Sequence, residues 1–201
     1  MGVTIPRAGY EIRLESIGGL GAHLAGQMLA EAGVLRQGLN GSHFSSYGSE
    51  KKGTPVRSFV RFYPPDRPLR TSEPVAHPDL VAIFHEALLR TEPVLTGLRP
   101  DSVVIVNTVH SLAEMRERLG WSGPLAVLDA LSIAVEEGSR VNTAMLGAVA
   151  RFVPFLDAEA LRATIRATFE RKYAHLVEAN LRTFDRGAQE ADFSQAGEAP
   201  T

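Results

Sequence analysis

Residues 43–55, with the sequence HFSSYGSEKKGTP, carry the side chains best suited to bind an anion. Lys51 and Lys52 stand side by side, and Gly48 and Gly53 flank them. Lysine is a mobile point charge and glycine lets a ligand approach backbone amides, so this combination suits a phosphate or diphosphate. A solvated surface loop is the alternative, and composition alone favours it.

A second candidate is the glycine-rich turn at residues 16–21, Ser-Ile-Gly-Gly-Leu-Gly, between a predicted strand and a predicted helix. Glycines allow a sharp turn, and they allow a phosphate to reach the amides at a helix N-terminus. The spacing differs from the dinucleotide fingerprint, and no acidic residue clearly ends a second strand to hold a ribose. A nicotinamide dinucleotide is therefore disfavoured, and tight packing of helix on strand explains the glycines equally well.

A third stretch, Asn142–Ala148, is rich in small residues and is typical of a helix start packed closely on a neighbour, with Asn142 or Thr143 as its cap. Catalysis is not needed to explain it. The six histidines show no metal-binding spacing, and no G-x-S-x-G elbow occurs. The absence of cysteine removes the thiolate ligands of iron–sulfur clusters. We predict no catalytic residue and no metal site on this chain.

The apolar pattern predicts an α/β fold that is Rossmann-like, with a mainly parallel sheet and helices on both faces. Short apolar or alternating runs indicate strands at 10–16, 56–62, 80–84, 102–106 and 125–129. Residues 157–184 predict a long C-terminal helix. We expect one domain over residues 1–186 and a flexible tail over residues 187–201, which is polar and rich in small residues.

Charge and hydropathy limit the partners of the chain. The formal net charge of -2 gives no basic field, so we expect no nucleic acid partner. No apolar run approaches the roughly 20 residues of a membrane helix, and the N-terminus lacks a signal pattern. We therefore expect no membrane association and a cytoplasmic location.

Five motifs, in this order and spacing, resemble the gamma subunit of the 2-oxoacid:ferredoxin oxidoreductases of the pyruvate and ketoisovalerate type. The resemblance spans about residues 10–185, and Ser16 and Leu20 depart from the usual glycine and glutamine of the first turn. Its motifs are the turn Ser16–Gly21, SSYGSEKKGTPVRSFVRF at 45–62, Pro78–Ile83, Val104–Asn107 and Asn142–Ala148.

The resemblance implies a subunit that is inactive alone, in a complex that converts a 2-oxoacid and coenzyme A into acyl-coenzyme A and carbon dioxide. It implies partner subunits of alpha, beta and delta type, which hold thiamine diphosphate, Mg²⁺ and [4Fe–4S] clusters. The electron acceptor is ferredoxin, or an NAD-reducing flavin subunit with FAD. The chain alone would bind no cofactor. The identity of the 2-oxoacid and the choice of acceptor stay open.

For coenzyme A, the resemblance implies that Lys51 and Lys52 contact phosphates while Gly48 and Gly53 provide backbone that the ligand can approach. Supporting roles in the loop and turn fall to Tyr47, Arg57, Glu50, Gly18, Gly19, Gly21 and Asn142. Two alternatives remain. The chain is a purely structural scaffold subunit of that complex, or it is a stand-alone nucleotide-binding regulator with a Rossmann-like fold.

Overall fold

The structure, a computed structural model, describes residues 5–6, 8–48, 53–68 and 73–196. Within these ranges the chain forms one sheet with helices on both sides. The strands are β1 Tyr10–Ile17, β2 Asn40–Tyr47, β3 Pro55–Tyr63, β4 Leu80–Ile83, β5 Val103–Asn107, β6 Leu125–Leu128 and β7 Asp192–Ser194. The helices are α1 Ala22–Glu31, α2 Leu88–Thr91, α3 Leu112–Leu119, α4 Ala130–Glu136, α5 Val141–Phe152, α6 Ala158–Tyr173 and α7 Val177–Glu190.

The sheet has the strand order β2-β3-β1-β4-β5-β6-β7. Strands β1, β4, β5 and β6 run parallel, whereas β3 is antiparallel to β1, β2 to β3, and β7 to β6. The α/β prediction is confirmed, but the sheet is mixed rather than mainly parallel. The reason is that a β2–β3 hairpin forms one edge and a short returning strand forms the other.

Helices cover both faces of the central strands, as predicted. On one face, alternate side chains such as Ile12, Leu80 and Ile105 join the larger core with residues of α1, α5, α6 and α7. On the opposite face, Val81 and Val104 belong to a smaller core against α2 and α3. Successive residues of a strand point to opposite faces, so buried strands need apolar side chains on both.

Helix α5 packs closely on α7 through small residues. A Cβ atom added at Gly147 would overlap the carbonyl oxygen of Phe184, and one added at Gly187 would overlap that of Ala144. The predicted close packing of this segment is confirmed. Its predicted cap is wrong, because the N-cap is Arg140 and both Asn142 and Thr143 lie inside the first turn.

The predicted long C-terminal helical segment is present as α6 and α7, joined by a single 3₁₀ turn at Ala174–Leu176. The predicted flexible tail from Gly187 is wrong for residues 187–196, because α7 continues to Glu190 and β7 pairs with β6. Phe193 of β7 packs on Phe152, with ring centroids 4.7 Å apart. The remainder, residues 197–201, lies outside the described residues.

The described part of the chain contains no helix with the length and hydropathy that crossing a bilayer requires.

Candidate functional site

The predicted glycine turn and the predicted anion-binding loop meet at one end of the sheet. The turn follows β1, and the N–H of Gly18 donates to the carbonyl oxygen of Thr54 over 3.0 Å. Thr54 directly precedes β3, and the N–H of Gly48 donates to the carbonyl oxygen of Pro55 over 3.0 Å. The turn therefore contacts the connection between β2 and β3, which is the arrangement expected if the turn positions that loop.

A cavity of about 310 Å³ lies at the loop end of the β2–β3 hairpin, beside the connection between the two strands. Three of the predicted ligand-contacting or supporting residues, Tyr47, Gly48 and Arg57, line the cavity. Gly53 directly precedes the lining residue Thr54 in the sequence. Lys51, Lys52 and Glu50 lie outside the described residues. The cavity is lined by Ser46, Tyr47, Gly48, Thr54, Pro55, Arg57 and Glu92.

Two carboxylates fix the guanidinium group of Arg57 in the cavity wall. Its Nε lies 3.1 Å from Oε2 of Glu15, and its Nη2 lies 2.8 Å from Oε2 of Glu92. Glu15 also forms an ion pair with Arg13, which donates to the carbonyl oxygens of Val94 and Thr96. Arg57 is thus held in place at both Nε and Nη2, consistent with its predicted role as a loop support.

The electrostatics of this network follow from burial. Burial raises the pKa of Glu15, and the adjacent Arg13 and Arg57 act in the opposite direction. Burial also lowers the pKa of Arg13, which Glu15 partly offsets. Two guanidinium groups face two carboxyl groups, so their charges compensate one another. The charges of the described lining residues therefore balance, and Lys51 and Lys52 lie outside the described residues.

The turn itself requires glycine at two positions. Gly19 has a φ of 102° and Gly21 a φ of 82°, in the left-handed region that other residues rarely adopt. A Cβ atom at Gly21 would lie 2.9 Å from Cγ of Asn142, so the start of α5 packs directly on the turn. The side chain of Asn142 therefore contacts the turn, consistent with the supporting role predicted for it.

Sequence spacing did not reveal a histidine–serine cluster between α1 and β2. His23 of α1 and His43 of β2 have ring centroids 4.9 Å apart. Ser45 Oγ lies 3.0 Å from Nδ1 of His23, and Ser58 Oγ lies 2.8 Å from Nε2 of His43. The two histidines are twenty positions apart in the sequence. They meet because residues 40–47 form β2, a strand that the sequence pattern does not predict.

We expect acid to destabilise the protein partly through His43. Burial, with a smaller effect of His23, lowers the pKa of His43 to about 4. The unfolded chain, with a histidine pKa of roughly 6.5, binds more protons between these values, so stability is lost as pH falls from 6.5 to 4. Urea unfolding across this range should show a shallower pH dependence in His43→Gln. The exposed His175→Gln is the control, and an unchanged slope in His43→Gln would contradict the assignment.

No group of three or more histidine, aspartate or glutamate side chains in the described ranges is arranged to hold a metal ion.

Known proteins resemble this chain over most of its length. The sequence profile of the pyruvate ferredoxin/flavodoxin oxidoreductase family matches residues 11–190. The pyruvate synthase subunit PorC of Thermotoga maritima is 36% identical over 189 residues, which is 92% of this chain and 96% of that protein. The common gamma subunit of the pyruvate/ketoisovalerate oxidoreductases of Pyrococcus abyssi is 38% identical over 162 residues, 79% of this chain and 86% of that protein.

A solved structure gives the same result. The crystal structure of the Thermotoga maritima pyruvate oxidoreductase subunit PORC has a TM-score of 0.81 and 35% identity, covering 93% of this chain and 99% of that one. The structural match therefore extends over nearly the whole of both chains, and the family match over residues 11–190 includes the glycine turn and the hairpin. The chain belongs to the pyruvate ferredoxin/flavodoxin oxidoreductase family, and within it to the gamma-type subunits.

Proposed function

We propose that this gamma-type subunit binds coenzyme A for a 2-oxoacid oxidoreductase complex and contributes to the surroundings of its thiamine site. The overall reaction converts a 2-oxoacid and coenzyme A into acyl-coenzyme A and carbon dioxide, with two electrons passing to an acceptor. The chain itself binds the thiol substrate and performs no redox step.

The observation that carries this proposal is the cavity at the β2–β3 hairpin. Its walls include Tyr47, Gly48 and Arg57, which the resemblance predicts as ligand-contacting or supporting residues. Lys51 and Lys52 belong to the four-residue segment that connects Gly48 to Gly53 at this position. Ammonium groups in such a segment suit the phosphates of coenzyme A, because charge-assisted hydrogen bonds to phosphate are stronger than neutral ones.

Partner subunits of alpha, beta and delta type complete the complex in this proposal. Thiamine diphosphate, with Mg²⁺ and [4Fe–4S] clusters on those partners, would supply the decarboxylation and electron-transfer chemistry. Ferredoxin, or an NAD-reducing flavin subunit that holds FAD, takes the electrons. The chain has no cysteine for cluster ligands, which is compatible with clusters on partners. The complex operates in the cytoplasm, without a nucleic acid or membrane partner.

Hydrogen–deuterium exchange of the complex, purified through this chain, tests the proposal. Saturating coenzyme A should protect peptides covering residues 44–57, because bound phosphates restrain the hairpin connection. Dephospho-coenzyme A, which lacks the 3′-phosphate, should protect them less, and peptides from α6 should not change. Equal exchange at 44–57 with and without coenzyme A would instead identify the chain as a scaffold subunit.

A further inference from the structure

Strand β2 lies at the edge of the sheet, and among the described residues it pairs only with β3. The N–H of Gly48 donates to the carbonyl oxygen of Pro55, so these two residues form a hydrogen-bonded pair next to the end of β2. Such pairs alternate along an antiparallel ladder, so every second residue of β2 points its N–H and C=O groups away from β3. These residues are Gly41, His43, Ser45 and Tyr47.

The described residues contain no feature that protects this edge from pairing with another strand. Natural sheet edges are typically short, or they carry charged residues, proline or bulges. The opposite edge follows this rule, because β7 has three residues and begins with Asp192. β2 has eight residues, Asn-Gly-Ser-His-Phe-Ser-Ser-Tyr, without lysine, arginine, an acidic residue or proline, and it pairs with β3 in unbroken register. Such an edge suits a further strand.

We propose that β2 pairs antiparallel with β2 of a second copy of this chain, about a two-fold axis normal to the sheet, with Phe44 opposite its own counterpart. Gly41 then lies opposite Tyr47 of the second copy, and His43 opposite Ser45. Each of these pairs exchanges two hydrogen bonds, so all outward N–H and C=O groups of β2 are used. Placing His43 or Ser45 opposite itself would leave Tyr47 or Gly41 without a partner. This interface goes beyond the proposed function and does not depend on it.

On one face of the joined sheet, this register brings two aromatic rings together. Phe44 is half-buried, and its ring centroid lies 4.9 Å from that of Phe59 in β3. Residues that face each other between the hydrogen-bonded pairs have the closest side chains of an antiparallel ladder. Aromatic pairs at such positions stabilise a sheet. Phe44 of the second copy would therefore extend the aromatic contact that Phe44 makes with Phe59.

On the other face, the register covers two exposed apolar side chains. Tyr47 is 61% exposed at the end of β2, and Leu35 is 76% exposed shortly before its start. Gly41 has no side chain, and a Cβ there would lie 2.9 Å from Cγ2 of Val34, next to Leu35. Tyr47 of the second copy, opposite Gly41, would thus lie beside this apolar segment. The two-fold axis repeats the contact at the other end of the strand pair.

Helix α1 is placed to add a helix contact to the strand pairing. Gly26 of α1 lies over both outer strands, since a Cβ there would be 2.3 Å from Oγ of Ser58 in β3 and 2.7 Å from the ring of His43 in β2. Strands are about 4.8 Å apart, so the two α1 helices, on the same side of the joined sheet, would lie about 10 Å apart. Packed helices are typically about 8–10 Å apart.

Single cysteines test the register, because the chain has no cysteine of its own. Phe44→Cys places two thiols opposite each other, with Cα atoms about 4.5 Å apart, which is within the range of a disulfide. Ser46→Cys, the matched control, places its thiols four residues out of register, with Cα atoms roughly 14 Å apart. Mild oxidation with copper phenanthroline should crosslink the full chain of Phe44→Cys and not that of Ser46→Cys. Equal crosslinking of both variants, or of neither, overturns the inference.

Sedimentation velocity of the full chain tests the interface without a crosslink. We expect a species of twice the 21.7 kDa mass of one chain. Ser45→Pro should raise the dissociation constant of the dimer at least tenfold, because it removes an outward N–H and leaves the ladder with β3 intact. Phe44→Lys should do the same by placing like charges opposite each other. Asp192→Lys, on the opposite edge strand, is the control and should leave the constant unchanged.

Two outcomes overturn the second copy as the occupant of this edge. One is a wild-type chain that sediments as a monomer while β2 amides become protected from hydrogen exchange only when other subunits bind, which assigns the edge to a strand of a partner subunit. The other is a dimer whose dissociation constant is unchanged in both Ser45→Pro and Phe44→Lys, which places the contact between copies on a different surface.

Discussion

Replacing Lys51 and Lys52 together with alanine should raise the apparent KM of the assembled complex for coenzyme A at least tenfold. If both lysines bind phosphates as proposed, the change removes two charge-assisted contacts of about 1.5–3 kcal/mol each, before solvent exposure weakens them. A tenfold effect needs only about 1.4 kcal/mol, so it survives considerable screening. The apparent KM for the 2-oxoacid should stay within a few-fold, because the lysines in this proposal contact coenzyme A and not the 2-oxoacid.

The matched control is Arg171→Ala/Lys172→Ala, which removes two adjacent, exposed positive charges at the end of α6. Steady-state titration of each substrate, with assembly checked by gel filtration, should show a normal KM for coenzyme A in this control. Added salt should weaken coenzyme A binding more in the wild type than in the lysine variant, because salt screens the charges that the variant lacks. If an intact lysine variant keeps the wild-type KM, both lysines belong to a solvated loop.

The sequence predicted strands well where one or both faces are apolar, and poorly at the edges of the sheet. β1, β3, β4, β5 and β6 were each expected within a few residues of their positions. β2 was missed because Ser, His and Gly occupy most of it, and an edge strand whose residues are half-buried or exposed needs no regular apolar pattern. β7 was missed because residues 187–201 are polar and rich in small residues, a composition typical of a flexible tail, whereas Gly187 is a contact point between α7 and α5.

The candidate site was predicted only where its residues are neighbours in the sequence. Tyr47, Gly48 and Arg57 were found because one short motif contains them. The alternating pattern of residues 10–16 predicts a half-buried strand with Glu15 on its polar side, yet Glu15 is 1% exposed. Both faces of β1 are covered, so its polar side chains must form ion pairs with one another and with residues of other segments. Glu92 reaches Arg57 from a distant segment, and no local pattern encodes that contact.

The crossing of α5 and α7 depends on glycine, and Gly147→Ala should lower the stability of the protein by about 2 kcal/mol. In an isolated helix, alanine in place of glycine stabilises by roughly 0.5–1 kcal/mol. Here the added methyl group would overlap the backbone carbonyl of Phe184. A backbone atom cannot rotate away as a side chain can, so the helices must separate, and overpacking of this kind typically costs about 1–3 kcal/mol.

Differential scanning calorimetry of the full chain should therefore show a Tm about 4–8 °C lower for Gly147→Ala, at roughly 2–4 °C per kcal/mol for a chain of this size. Gln189→Ala, on the exposed side of α7, is the control and should leave Tm nearly unchanged. Gly187→Ala should reproduce the loss, because its methyl group would meet the Ala144 carbonyl across the same crossing. The double variant should lose less than the sum of the two single losses, since one separation of the helices relieves both overlaps. A Gly147→Ala protein as stable as the wild type would show that α5 and α7 do not approach this closely, and the small residues of the Asn142–Ala148 motif would then need a different explanation.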